Sequence, residues 1–173
     1  CMLYKPRGLL TAKRDARRET VMSCFPEALR ETLHPVGRLD KDTEGLLLFT
    51  DDGMLVVRLL RPEQHVEKEY EYRAFGHLHD DAMRQLETGV LLLAKNPSRP
   101  VTLGRLWITE GRKHQVKLMI KAVGGHVFYL KRLAIGPVRL DEMLRPGEYR
   151  PLTAEELAAL MPPATNGGGT AGA

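Results

Sequence analysis

Residues 37–50 read GRLDKDTEGLLLFT, a charged turn set directly against an apolar run. Gly45 closes the polar part, and Leu46, Leu47, Leu48 and Phe49 follow without a polar break, as in a buried strand. TDDGMLVVRLLRP (50–62) comes next and reads as a helix capped by Thr50 or Asp51 and stopped near Pro62. The order is loop, buried strand, helix, and it leaves the acid Asp40 at the mouth of the strand.

Upstream, CMLYKPRGLLTA (1–12) reads as strand, Pro-Arg-Gly turn and strand, and ETVMSCFPEALRE (19–31) has helical spacing interrupted by Pro26. Downstream, VEKEYEYRAFG (66–76) alternates strictly. Glu67, Glu69 and Glu71 share a face expected to meet water, while Lys68, Tyr70 and Tyr72 share one turned inward or toward a cleft. DDAMRQLETGV (80–90) reads as a short helix closed by Gly89, and VTLGRLWITEG (101–111) as a strand. RKHQVKLMIKAVGG (112–125) reads as an amphipathic helix with Val116, Met119, Ile120 and Val123 on one side. Lys117 and Lys121, four apart, lie on another, and Gly124 and Gly125 stop the helix. Strands or turns follow in HVFYLKRLAIG (126–136) and VRLDEML (138–144). TAEELAAL (153–160) is a last helix in which Thr153 and Glu156 form a capping box. PPATNGGGTAGA (162–173) has nothing to bury and is expected to be a disordered tail, so the folded domain is residues 1–161. This alternation predicts an α+β domain with a mixed, largely antiparallel sheet and flanking helices.

A chain of 173 residues, 43% of them hydrophobic, is long enough to bury a core of its own. The net charge of +4 conceals a steep distribution. Residues 1–18 carry +5 and residues 111–140 carry +7, which leaves −8 on the other 125. Two cationic segments on an acidic body suit a polyanion, nucleic acid being the commonest; the bland alternative is a pair of solvated faces. Cys1 and Cys24 make neither a disulfide framework nor a zinc site, which fits a reducing, cytoplasmic setting. No stretch approaches the roughly 18 apolar residues of a membrane span.

Asp40 admits three readings. It is a loop carboxylate paired with a neighbour such as Arg38 or Lys41. It is a calcium ligand, with Asp42, Glu44, Gly45 and Asp51 at EF-hand spacing, although Leu46 to Phe49 then fall where ligands belong. Or it is catalytic: a carboxylate at the mouth of a buried strand needs a cation to stay ionised, and Lys117 of the basic helix is the natural candidate. A lone acid of this kind suits nucleophilic or single-base chemistry better than a paired-acid mechanism.

Six blocks then fall in register: KPRG (5–8), GRLDKDTEGLLLFTDDG (37–53), EKEY (67–70), EGRKHQVKLM (110–119), LKRLAIG (130–136) and PGEYRPLT (146–153). Together they resemble the RsuA-type ribosomal RNA pseudouridine synthases from Met2 to Leu160. The resemblance implies that Asp40 is the catalytic aspartate, that Tyr70 stacks on the uracil and moves a proton from C5, and that Lys117 holds Asp40 charged. It implies too that Arg38 fills the space left by a flipped base. Lys5, Arg7, Arg112, Lys113, Lys121, Lys131 and Arg132 would then bind RNA phosphates. An isomerisation without redox change requires no metal and no organic cofactor. The implied partner is ribosomal RNA or a pre-ribosomal particle, with small-subunit RNA preferred, and a cytoplasmic monomer is expected. A non-catalytic RNA-binding or ribosome-assembly module on the same scaffold is the alternative.

The chain departs from the family pattern in places. Lys117 stands where Arg is common, Leu118 where a basic residue is common, and Tyr4 where Asn is usual. The S4 domain that commonly precedes such a core lies outside these residues, so weaker RNA affinity than in two-domain relatives is expected. His114 and the pair His77 and His79 read as surface or satisfied core histidines.

Overall fold

In the computed structural model, which describes residues 1–76, 91–95 and 101–161, the elements run β1 (Met2–Lys5), α1 (Glu27–Arg30), β2 (His34–Val36), β3 (Glu44–Thr50), α2 (Gly53–Leu60), β4 (Lys68–Phe75), β5 (Leu91–Lys95), β6 (Val101–Ile108), α3 (Gln115–Ala122), β7 (His126–Ile135), β8 (Val138–Arg139), β9 (Tyr149–Arg150) and α4 (Ala154–Leu160). His77, His79, the helix expected over 80–90 and the tail 162–173 lie outside the described residues.

A single sheet runs β5, β6, β4, β7, β3, β1, β9, with β2 added to β3 and β8 to β7. The β3–β7 pairing is parallel and the others are antiparallel, so the architecture is the mixed α+β one expected. The unbroken run in β3 has a direct cause: both faces of that strand are covered. Leu47 and Phe49 join Leu3, Tyr70, Tyr72, Leu106, Val116 and Ile120 in one apolar cluster. Leu46 and Leu48 join Met2, Val36, Leu59, Ile135 and Leu160 in the other, under α2 and α4. A strand buried on both sides has no polar face to alternate with.

Several local expectations change. The second strand of residues 1–12 does not form; Gly8 has φ +96°, and the chain loops out until Leu10 bridges Thr20. Pro26 divides residues 19–31 into a 3₁₀ turn at Val21–Cys24 and the short α1. Asp52, rather than Thr50 or Asp51, caps α2 by accepting from the N–H groups of Met54 and Leu55. α3 starts at Gln115 because His114 takes a left-handed conformation, φ +55°. Glu69 is buried rather than wet, held by Arg105 Nη1 at 3.2 Å and Arg139 Nη1 at 2.6 Å. β2, β5 and β9, of three, five and two residues, are too short for periodicity to mark and exist through pairing. The capping box of α4 and the core face of α3 are as expected. Among the described residues no helix is long and apolar enough to cross a membrane.

Candidate active site

Asp40 sits in the loop that leads from β2 into β3, and the N-terminal strand clamps that loop from beneath. Lys5 is fully buried, and its ammonium lies within hydrogen-bonding range of four carbonyls: Thr43 at 2.7 Å, Pro6 at 3.0 Å, Asp40 at 3.1 Å and Lys41 at 3.3 Å. Burial pushes the Lys5 ammonium down to about 8, although the charges of Asp42 and Asp40 act the other way. Gly8 N–H donates to the Lys41 carbonyl at 2.7 Å. The buried Thr11 hydroxyl donates to the Leu39 carbonyl at 2.8 Å and accepts from the Leu39 N–H at 3.2 Å. Both sides of Asp40 are thereby tied to residues 5–11.

From the other side α3 and the residue before it deliver two nitrogens. His114 Nδ1 lies 2.9 Å and Lys117 Nζ 3.4 Å from the same oxygen, Asp40 Oδ2. Lys117 Nζ also donates to Asp42 Oδ1 at 2.6 Å, so the ammonium bridges two carboxylates. Burial pushes the Asp42 carboxyl up, but the hydrogen bond and charge of Lys117 outweigh it and hold the carboxyl below the ordinary range. The Asp40 side chain is 28% exposed, open enough to meet a ligand and enclosed enough for its cations to count.

Tyr70 comes from β4. It is buried in the cluster that holds Leu39, next to Asp40, and Val116, next to Lys117. Its hydroxyl accepts from Arg132 Nη1 at 3.4 Å. The structure brings Lys117 to Asp40 and adds His114, which reads in sequence as a surface or core histidine, while Tyr70 lies in the apolar cluster that backs them. Only the position of His114 at the start of a basic helix, three residues before Lys117, could have signalled it.

The cations divide into two sets. Arg38, Arg7, Arg112, Lys113 and Lys121 are exposed. Lys131 is half-buried with its ammonium 4.7 Å from the centre of the Tyr4 ring. Lys5 and Arg132, at 0% and 3% exposure, cannot face a phosphate where they stand, which corrects the expectation for both. The resemblance implies phosphate contacts for both, and a sequence does not separate a wet cation from one caged by carbonyls. Conversely Arg14, Arg17 and Arg18 stand exposed on the loop that Thr11 ties to Leu39. They belong to the basic block of residues 1–18, and the resemblance implies no role for them. Calcium ligation by Asp40 to Asp51 does not fit either, since β3 carries Leu46 to Phe49 through the middle of that span.

The model of one protein family, RNA pseudouridylate synthase, matches residues 1–122. The chain is 47% identical to an uncharacterised RNA pseudouridine synthase, YtzG, of Bacillus subtilis strain 168, over 94% of this chain and 73% of that one. It is 44% identical to the ribosomal small subunit pseudouridine synthase A of Escherichia coli K12, over 92% of this chain and 73% of that one. A crystal structure of a pseudouridylate synthase superposes with a TM-score of 0.78 at 39% identity, covering 92% of this chain and 72% of that one.

Proposed function

The chain belongs to the RNA pseudouridylate synthase family, and from that premise we propose that it isomerises a uridine of ribosomal RNA with Asp40 as its catalytic carboxylate. The observation that carries the proposal is the convergence of His114 and Lys117 on one oxygen of Asp40, above a loop clamped by Lys5 and Thr11. A carboxylate oriented through Oδ2 keeps Oδ1 for a substrate, as nucleophilic or base chemistry needs.

In the reaction the bond from N1 to C1′ breaks, the uracil turns, and C5 bonds to C1′ while losing its proton as N1 gains one. Asp40 serves either by adding to the sugar or base or by removing a ribose proton to give a glycal. Either route needs the freed base held and reoriented. In this reading Tyr70, carried on β4, supplies the aromatic wall, and its hydroxyl handles the C5 proton. Lys117 and His114 keep the carboxylate aimed.

A stacked uridine must leave its helix to reach such a site. Arg38 is two residues from Asp40, exposed, and holds no hydrogen bond or ion pair among the described residues, which suits it to fill the vacated space. Arg7, Arg112, Lys113, Lys121 and Lys131 bind phosphates, joined by Arg14, Arg17 and Arg18 on the tethered loop. The relatives named for the small ribosomal subunit support small-subunit RNA as the substrate; a pre-ribosomal particle as its setting and a cytoplasmic monomer as the enzyme belong to the same proposal. Replacing Asp40 with Asn is expected to abolish pseudouridine formation, read by chemical mapping of total rRNA, with RNA affinity kept within about twofold because the phosphate contacts lie elsewhere. Near-normal turnover in that variant would remove Asp40 from the chemistry. RNA binding by the native protein without product would favour the assembly-module alternative.

A further inference from the structure

Arg132 stands on β7 where that strand is paired on both sides, opposite Tyr70 of β4 and opposite Gly45 of β3. The approach to β3 is so close that a Cβ on Gly45 would collide with the Arg132 carbonyl oxygen. The guanidinium is sealed inside. Nε donates to the Leu46 carbonyl at 2.8 Å, Nη1 donates to the Tyr70 hydroxyl at 3.4 Å, and Nη2 is buried with no partner among the described residues. A buried cation with one amino group unsatisfied costs stability that an apolar side chain would not, and the buried neighbours on this strand, Leu130 and Ala134, are apolar. Packing alone gives no reason for an arginine here. Among the described residues its remaining hydrogen bond is to the phenol.

We infer that Arg132 is a positioning residue, acting through Tyr70 rather than on the RNA; the inference rests on the reading of Tyr70 as part of the active site. An oxygen that accepts a hydrogen bond from a fixed cation has its own proton directed elsewhere; when the phenol gives that proton to N1, the negative charge left on the oxygen is stabilised in place until it takes the proton that C5 loses. The anchor on the Leu46 carbonyl makes the guanidinium rigid, so the hydroxyl inherits a fixed position. The strand that follows the Asp40 loop therefore also sets the phenol, and the two reactive groups share one frame.

The test compares Arg132→Met, Arg132→Lys and Tyr70→Phe, each with its melting temperature measured and activity assayed well below it. Arg132→Met is expected to lower kcat at saturating rRNA by at least about tenfold while the RNA Kd stays within about twofold, with part of kcat recovered in Arg132→Lys. In protein labelled at the tyrosine ζ carbon, the Tyr70 resonance, assigned by its loss in Tyr70→Phe, is expected to move in both Arg132 variants. Should Arg132→Met fail to fold, Arg132→Lys alone carries the test, with reduced kcat and a moved resonance expected. A defect confined to KM would make Arg132 a phosphate contact and overturn the inference, as would normal kcat with an unmoved resonance. If Asp40→Asn and Tyr70→Phe both keep normal turnover, the active-site reading itself has failed. If those two lose turnover and Arg132→Met does not, only the role of Arg132 has.

Discussion

Lys5 carries the strongest test at the scale of a single residue. Its ammonium is enclosed by the carbonyls of the Asp40 loop, so replacing it with Met leaves buried acceptors without donors. Lys5→Met is expected to lower stability at pH 7 by about 2–3 kcal/mol in urea titrations, while the salt dependence of RNA binding stays as in the native protein. A phosphate-binding lysine would show the opposite pattern. The pH dependence has a definite sign. The folded-state value is about 8, against 10.5 for an exposed lysine, so between these limits the unfolded chain holds a proton that the native state has released. Stability from this group therefore rises with pH across that window, and Lys5→Met should lack the rise.

Among the elements, α4 is held by its N-terminal end as much as by Leu160 in the core. Thr153 and Glu156 close the capping box, and Arg150 grips both Glu156 oxygens at 2.8 Å while reaching Asp141 at 2.6 Å. The Arg150 guanidinium holds the Glu156 carboxyl down at about 2. Because the folded value lies below the ordinary 4.5, this contribution is complete above pH 4.5 and is lost as pH falls toward 2. Glu156→Gln should cost about 1 kcal/mol at neutral pH and flatten the acid limb of the melting curve over that interval. An unchanged acid limb would mean that α4 is held by Leu160 alone.

For the molecule as a whole, the charge map becomes a surface only after folding. The two cationic segments, more than ninety residues apart, meet at one loop: Thr11 binds Leu39 from one side and α3 brings Lys117 to Asp40 from the other. RNA affinity should fall with salt on a log-log line. Replacing Arg112 and Lys113 together by Ala should weaken binding at low salt and reduce the slope by roughly 1.5, with kcat at saturation preserved. A slope indifferent to the pair would place the RNA on another face.

Much of this was legible in the residue order, and the reason is range. Burial of Leu46 to Phe49, the inward face of Tyr70 and Tyr72, the core side of α3 and the capping box of α4 follow from periodicity and caps, which act within a few residues. Asp40 before the strand was legible for the same reason. What folding decided is which distant groups share a space. The carbonyl cage around Lys5, His114 at the carboxylate, the buried Glu69 and Arg132 between Gly45 and Tyr70 all depend on strand register and on the parallel β3–β7 junction. A basic side chain reads alike in sequence whether water or a ring of carbonyls surrounds it, because its environment comes from residues far along the chain.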